Sequence, residues 1–344
     1  MNPIGPVPCK RGIFWRSALD SAGPDTEGTM TLSESDKLVR KRRITSTRIA
    51  GLAGLSPWKR PIDVYREIQE ADFQIADTLA MRLGRRLEGP LADEYAAQTG
   101  YLLTPIATVL HPKYPEIIAA TPDRIAVIPP AGPEHVVEIK TTSREDGWGE
   151  PGTDQIPAYY ICQVAWEMAC TDLFRADVVV LIGGNDFRIY HLIRDMELEA
   201  QLIEIALKFW RDHIEPKIPP TADGTESYSD YLKARFPREK VDTYVKADST
   251  IEDMCQQLRD ARGRLRVIED EADRITQVLK GFIGDNAGLE GEFGRIHWKA
   301  NKDGTTTDWK ALALDICHAS VEQVKQATEP KPGARVFRPS WRKS

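Results

Sequence analysis

"TPDRIAVIPPAGPEHVVEIK", residues 121–140, holds two short β-rich runs, Arg124 to Ile128 and His135 to Ile139, joined by a turn over Pro129 to Pro133. Side chains two residues apart on a strand share a face, so Glu138 and Lys140 project together while Ile139 packs on the opposite face. Asp123 stands just before the first run and lies opposite them if the two strands pair through the turn. Two neighbouring carboxylates repel each other unless a cation sits between them. A hard divalent ion such as Mg²⁺ suits them, because it takes oxygen ligands and keeps water in its remaining positions. Lys140 beside them would orient a water or stabilise charge developing on phosphate. By itself the spacing decides little, since charged residues that end a strand beside a turn are commonly just solvated. As groups on a strand edge they are expected to be exposed and to contribute little to stability.

Outward from this stretch, a further β-rich run at Leu103 to Leu110 precedes the pair, and the three runs predict an antiparallel meander. Upstream, Leu79, Leu83, Leu87, Leu91 and Tyr95 recur every four residues, the stripe of an amphipathic helix bent near Pro90. Downstream, Pro157 to Cys170 predicts a helix, "ADVVVLIGG" a buried strand and "DFRIYHLIR" an alternating one. Asp195 caps a further helix to about Ile214, with Glu197 and Glu199 in its first turn. The order is helix, three strands, helix, two strands, helix.

The 344 residues carry 46 basic and 52 acidic side chains, a net charge of −6. That argues against a protein coated in positive charge but leaves room for a basic groove. Lys37, Arg40, Lys41, Arg42, Arg43 and Arg48 form an early run without an acid, ordinarily a solvated helix face. No apolar stretch reaches the roughly 20 residues of a membrane span, and none resembles a signal peptide, so a cytoplasmic protein is expected. Five scattered cysteines without a C-x-x-C pair suggest neither a zinc site nor a disulfide framework.

Residues 1–36 mix Pro, Gly and Ser without periodicity and read as a flexible tail, although "IFW" at Ile13 to Trp15 offers a docking element. "PKIPP" at Pro216 to Pro220 divides a first domain, 37–220, from a C-terminal region, 221–344. There Ile251, Met254, Leu258, Ala261, Leu265, Ile268, Ala272, Ile275, Leu279 and Phe282 alternate three and four apart, a coiled-coil-like seam. Such a seam must be buried, against another helix of the region or a neighbouring subunit. "GRIHWKANKDGTTTDWKAL" then predicts a hairpin turning at Asp303-Gly304, followed by a helix through "ALALDICHASVEQVK" and a basic tail, "KPGARVFRPSWRKS". Arg335, Arg338, Arg342 and Lys343 in that tail, with Phe337 and Trp341, would grip backbone or stack on unpaired bases.

"TPDRI" and "VVEIKTTSR" resemble the catalytic signature of the PD-(D/E)XK nuclease superfamily. The stretch from Arg40 to about Pro220, slightly over half the chain, resembles the lambda-exonuclease or YqaJ-like viral recombinase family. "RKRRITST", "GLSPWKRPIDVY", "GRRLE", "TPD", "EIKTTSR" and "YYICQVAWEM" occur in that family's order.

The resemblance implies an α/β (α+β) fold: a restriction-endonuclease-like core with a mixed central sheet flanked by helices, here followed by the mainly helical region with its hairpin. It implies that Asp123 and Glu138, with the carbonyl of Ile139, bind Mg²⁺, with Mn²⁺ able to substitute. Lys140 would be general base or water-positioning residue, and Glu88 would complete the metal or water shell. Gln163 would orient near the attacked phosphate, and Tyr160, close by on the same helix, would help hold it. Arg40, Thr47, Thr121 and Arg144 fall on the positions of a 5′-phosphate pocket, with threonine at 47 and 121 where serine is familiar. Arg42, Arg43 and Arg48 are alternative cations, because helix register is open by a residue.

The function expected is a Mg²⁺-dependent deoxyribonuclease, a 5′→3′ exonuclease acting on double-stranded DNA ends in a phage or prophage recombination system inside a bacterial host. A single-strand annealing protein is the expected partner and a homo-oligomer is allowed, although the family's ring-shaped trimer does not follow automatically for a chain with this C-terminal addition. No G-x-x-x-x-G-K-[ST] is present, so no recognisable ATPase accompanies it. The alternatives are an endonuclease or repair-type nuclease of the same superfamily, whose four-cysteine iron–sulfur spacing is missing here, and a non-catalytic DNA-end-binding module.

Overall fold

The computed structural model describes residues 33–328, apart from 72, 74–75, 131, 242, 302–305 and 307. "IFW", the Asp303-Gly304 turn and the basic tail lie outside the described residues. Two compact units result, dividing between Arg235 and Phe236.

The first unit opens with three short helices, α1 (Glu34–Lys41), α2 (Ser46–Leu52) and α3 (Pro61–Gln69). The basic run is therefore not one helix face. Between α1 and α2 the chain drops Ile44 into the core, where it bridges to Ile118. Helix α4 (Leu79–Thr99) starts on a Thr78 cap, contains Pro90 and ends at Gly100 in the left-handed conformation. Of its four-spaced stripe only Leu91 and Tyr95 are buried; Leu79, Leu83 and Leu87 are exposed.

The first run expected as one strand is two: β1 (Leu102–Thr104) and β2 (Val109–Leu110). Pro105 has no N–H for the ladder and breaks it. Strand β2 leaves the sheet to pair with β3 (Ala119–Ala120). Strands β4 (Arg124–Val127) and β5 (Glu134–Thr142) form the expected antiparallel pair. Helix α5 (Ala158–Thr171) returns the chain so that β6 (Arg175–Ile182) runs parallel to β5, and β7 (Asp186–Ile193) closes the sheet antiparallel to β6. The five strands lie in the order β1-β4-β5-β6-β7, a mixed sheet.

One face of that sheet packs on α4 through Ile139, Ala126, Leu91 and Tyr95. The other packs on α5 through Val136, Val178, Val164 and Met168. Trp166, on the far side of α5, donates its ring N–H to the carbonyls of Ile44 and Ala119 and so ties α5 to the first helices. Helix α6 (Met196–Phe209), capped by Asp195 and extended to Ile214, covers that layer. The unit continues past Pro220 through α7 (Glu226–Arg235), because Tyr231 is buried in the same core as Tyr65 and Ile214.

The second unit is built on α8 (Ser249–Ile283), 35 residues capped by Asp248. Its hairpin, β8 (Gly288–Gly291) and β9 (Gly294–His297), turns at Glu292-Phe293. "GRIH" is thus the second strand of the hairpin, not the first. The helix expected through "ALALDICHASVEQVK" is interrupted near Cys317 into a short turn from Trp309 and a separate helix, α10 (Val321–Gln326), with Trp309–Ala311 as α9.

Candidate active site

The β4–β5 register sets Arg124 against Val137, which leaves Asp123 beside Glu138 at the end of the pair. Asp123 Oδ2 accepts from the Ile139 N–H at 2.8 Å, so the carboxylate is fixed to the strand that carries its neighbour. Glu138 and Lys140 share the α5 face of β5, and Lys140 Nζ donates to Glu138 Oε1. From α5, Gln163 Nε2 donates both to Glu138 Oε1 and, at 3.0 Å, to Glu167 Oε1.

These groups are not the exposed strand edge that the sequence predicts. Glu138 is 2% exposed and Glu167 fully buried, because α5 lies directly over β5. Burial, and then the adjacent Glu138, push the Asp123 carboxyl well above its ordinary range, against the pull of Lys140. Burial and Glu138 do the same to Glu167. Burial alone would lower the Lys140 ammonium, but Glu138 and Asp123 outweigh it and raise its pKa. The two carboxyl groups thus favour the protonated form of Lys140, a donor and a positive charge beside Glu138.

Buried carboxyl groups facing one another around one ammonium leave negative charge in excess. Among the described residues Glu138 Oε2 is buried without a hydrogen-bond partner, as is Glu167 Oε2. An unpartnered buried carboxylate oxygen next to Asp123 fits a hard divalent cation. No group of three or more His, Cys, Asp or Glu side chains arranged for a metal occurs among the described residues. The protein would thus offer two carboxylates and the Ile139 carbonyl, a sparse oxygen set of the kind Mg²⁺ completes with water.

Glu88, on α4, reaches the site's edge and raises Asp123 electrostatically, but its Oε1 accepts from Arg124 Nη1 at 2.6 Å. The structure holds it in an ion pair beside the Asp123–Glu138 couple. Tyr160 places its ring 5.1 Å from Lys140 Nζ. It stands in an aromatic series, 5.5 Å from Trp148 and 4.4 Å from Tyr159, which in turn meets the exposed Trp58 at 5.0 Å.

Arg40 is near enough to Glu167, Glu138 and Asp123 to feel all three, although burial and the adjacent Arg48 lower its pKa. The alternatives Arg43 and Arg48 are committed elsewhere. Arg48 donates to the carbonyls of Arg40 and Lys41 and to Glu67, and Arg43 to those of Val39 and Pro115. Arg42 and Thr47 are exposed at the end of α1 and on α2. Thr121 shares a hydroxyl contact of 2.9 Å with Thr108, and Arg144 is exposed just past β5.

Sequence reasoning missed Glu167 and Arg124. The signal for Glu167 was its place one helical turn after Gln163 in "ICQVAWEM", which puts both on one face of α5.

Residues 37–173 match the family model of the YqaJ-like viral recombinase domain. The stretch is similar to that domain over 137 of the 344 residues. The matched stretch contains every site residue named above, from Arg40 to Glu167. Across 269 residues the chain is 25% identical to the uncharacterized protein YqaJ of Bacillus subtilis (strain 168), which covers 74% of this chain and 82% of that one. Among solved structures it is similar to the LHK-Exo alkaline exonuclease of Laribacter hongkongensis bound to dAMP, at 21% identity and a TM-score of 0.44 over 59% of this chain and 97% of that one. A phage-related exonuclease from Haemophilus somnus 129PT aligns over 54% of this chain and all of its own, at 10% identity and a TM-score of 0.38. Among the described residues no helix is long and apolar enough to cross a membrane.

Proposed function

We propose that this protein is a divalent-metal-dependent deoxyribonuclease that digests double-stranded DNA from its ends, 5′→3′, in a phage or prophage recombination system. The observation that carries the reading is the Asp123–Glu138 couple: two neighbouring carboxyl groups, one with an unpartnered buried oxygen, against a lysine whose protonated form they favour. Groups arranged in this way are unfavourable for folding alone and suited to phosphodiester hydrolysis. The similarity to the YqaJ-like domain and the exonuclease names of the similar structures agree with it.

Asp123, Glu138 and the Ile139 carbonyl would hold Mg²⁺, or Mn²⁺ in its place. When bound, the ion supplies Lewis-acid stabilisation of the phosphate and eases ionisation of the attacking water. Lys140 donates to the oxygen that attacks or to a phosphoryl oxygen as its charge grows, and Glu138 Oε1 aims the ammonium. Gln163 fixes Glu138 from the α5 side and keeps its carboxylate oriented. Water adds to phosphorus and the bond to the 3′-oxygen breaks; one water proton ends on that oxygen, the other on the new 5′-phosphate or in solvent, and the terminal nucleotide leaves with its own 5′-phosphate. Arg40, with Thr47, Thr121 and Arg144, is proposed to receive the terminal 5′-phosphate.

The test is digestion of linear duplexes labelled at one 5′ end or one 3′ end, with and without 5′-phosphate, in Mg²⁺. Mononucleotide release from 5′-phosphorylated ends is expected, with loss of activity in EDTA and in Glu138→Ala. Cleavage at internal sites of closed circular duplex would show an endonuclease instead.

A further inference from the structure

Among the described residues the seam of α8 is left open. Leu265, Ile268, Ile275 and Phe282 are 54%, 62%, 46% and 79% exposed, although they sit in the seam whose three-and-four spacing demands burial. A stripe of that length on a helix of about 50 Å is far more apolar surface than an isolated helix tolerates in water. The spacing averages 3.5 residues, the period at which two helices wind around each other, so the occupant is another helix.

We infer that α8 pairs antiparallel with α8 of a second copy of this chain, about a two-fold axis passing between Arg266 and Val267. The seam is its own complement in that arrangement. Ala261 falls opposite Ala272, so the two small residues of the seam share layers and let the backbones approach. Leu265 falls opposite Ile268 across the centre, and Ile251 opposite Phe282 at each end, so no large side chain faces an alanine gap.

The flanking charges choose the direction. Beside the seam stand Arg262 and Arg264 in the first half and Glu269 and Glu271 in the second. Antiparallel pairing brings Arg264 to Glu271 and Arg262 to Glu269, each twice by symmetry, with no like-charge pair among them. A parallel pair would bring together Arg264 and Glu269 alone. The self-complementary order of charge, small residues and large residues along one helix is what identifies the partner as a second copy.

Sedimentation equilibrium on the full chain should give a dimer or an even-numbered assembly, and Leu265→Asp with Ile268→Asp should halve it while duplex digestion continues. Direction is read by disulfide trapping in a Cys9→Ser, Cys317→Ser background. The exposed Cys255 then lies across from position 276 in the antiparallel pair and from position 250 in a parallel one. Thr276→Cys should oxidise to a covalent dimer and Thr250→Cys should not. Arg264→Glu should weaken association about tenfold or more, with recovery on adding Glu271→Arg. A monomer throughout the micromolar range, an assembly unaffected by the seam substitutions, or trapping through position 250 instead of 276 each overturns the inference.

Discussion

Replacing Asp123 by Asn should make the metal-free protein more stable while abolishing cleavage. Asn keeps an oxygen for the Ile139 N–H, which Asp123 Oδ2 now accepts at 2.8 Å, so the local geometry survives. What disappears is a buried charge beside Glu138. Two like charges about 5 Å apart at an effective dielectric near 20 cost about 3 kcal/mol, and the lost attraction to Lys140 returns part of it. A net gain of about 1–2 kcal/mol is expected, a rise of roughly 2–8 °C in the unfolding temperature of a unit this size. The sign with pH follows from the raised Asp123 carboxyl. Its folded-state pKa lies above the unfolded one, so ionisation costs stability as pH climbs from about 4, and below that both states are protonated. The gap between variant and wild type should therefore open with rising pH and close towards pH 4. Thermal unfolding in EDTA across that range measures it, and adding Mg²⁺ should raise the wild type and not the variant. A variant no more stable than wild type in EDTA near neutral pH, or a gap that widens in acid, would refute the reasoning.

Arg40→Ala should reduce the preference for 5′-phosphorylated over 5′-hydroxyl duplex ends at least tenfold, read from initial digestion rates, while Arg42→Ala leaves the preference within about twofold. Asp177, fully buried on β6, accepts from Tyr95 at 2.6 Å, from His191 and from Arg175. Burial alone would raise this carboxyl, but hydrogen bonds from His135, Tyr95 and His191 hold it below the ordinary range, so its contribution is present above about pH 4 and lost as pH falls further. Asp177→Ala should cost about 3–5 kcal/mol at neutral pH, seen as faster amide exchange along β6 and β7, with a smaller penalty in acid. A chain cut after Pro220 loses the buried Tyr231 and should be less stable by about 3 kcal/mol than one cut after Arg235, which denaturant melts of the two will compare.

The nuclease-like core was legible where the signal was local. Period-two alternation put Glu138 and Lys140 on one face, and the turn between the two runs set Asp123 beside them. Burial of the site was not legible. It arises because α5 crosses the face of β5 that carries the charges, and "YYICQVAWEM" holds no mark of which of its faces meets which strand. For the same reason nothing in the sequence singled out Glu167. In the second unit the long helix was plain from its seam, but the pairing of Gly288–Gly291 with Gly294–His297 was not, since Glu292-Phe293 is a weak turn signal. Gly294, with φ at 104°, supplies after the loop the freedom that Asn-Gly would have supplied within it.

Arg48 gathers the end of α1 by its carbonyls, Glu67 holds Arg48 at 2.7 Å, and Lys59 holds Glu67. Position 40 is thus not an independent dial for anyone probing the proposed 5′-phosphate contact. Its backbone is anchored two helices away, on α3, so a library that randomises residues 40–48 together will mostly return unfolded protein. One that leaves 48, 59 and 67 untouched and varies 40, 42 and 47 changes the side chains of the proposed phosphate site on an intact scaffold.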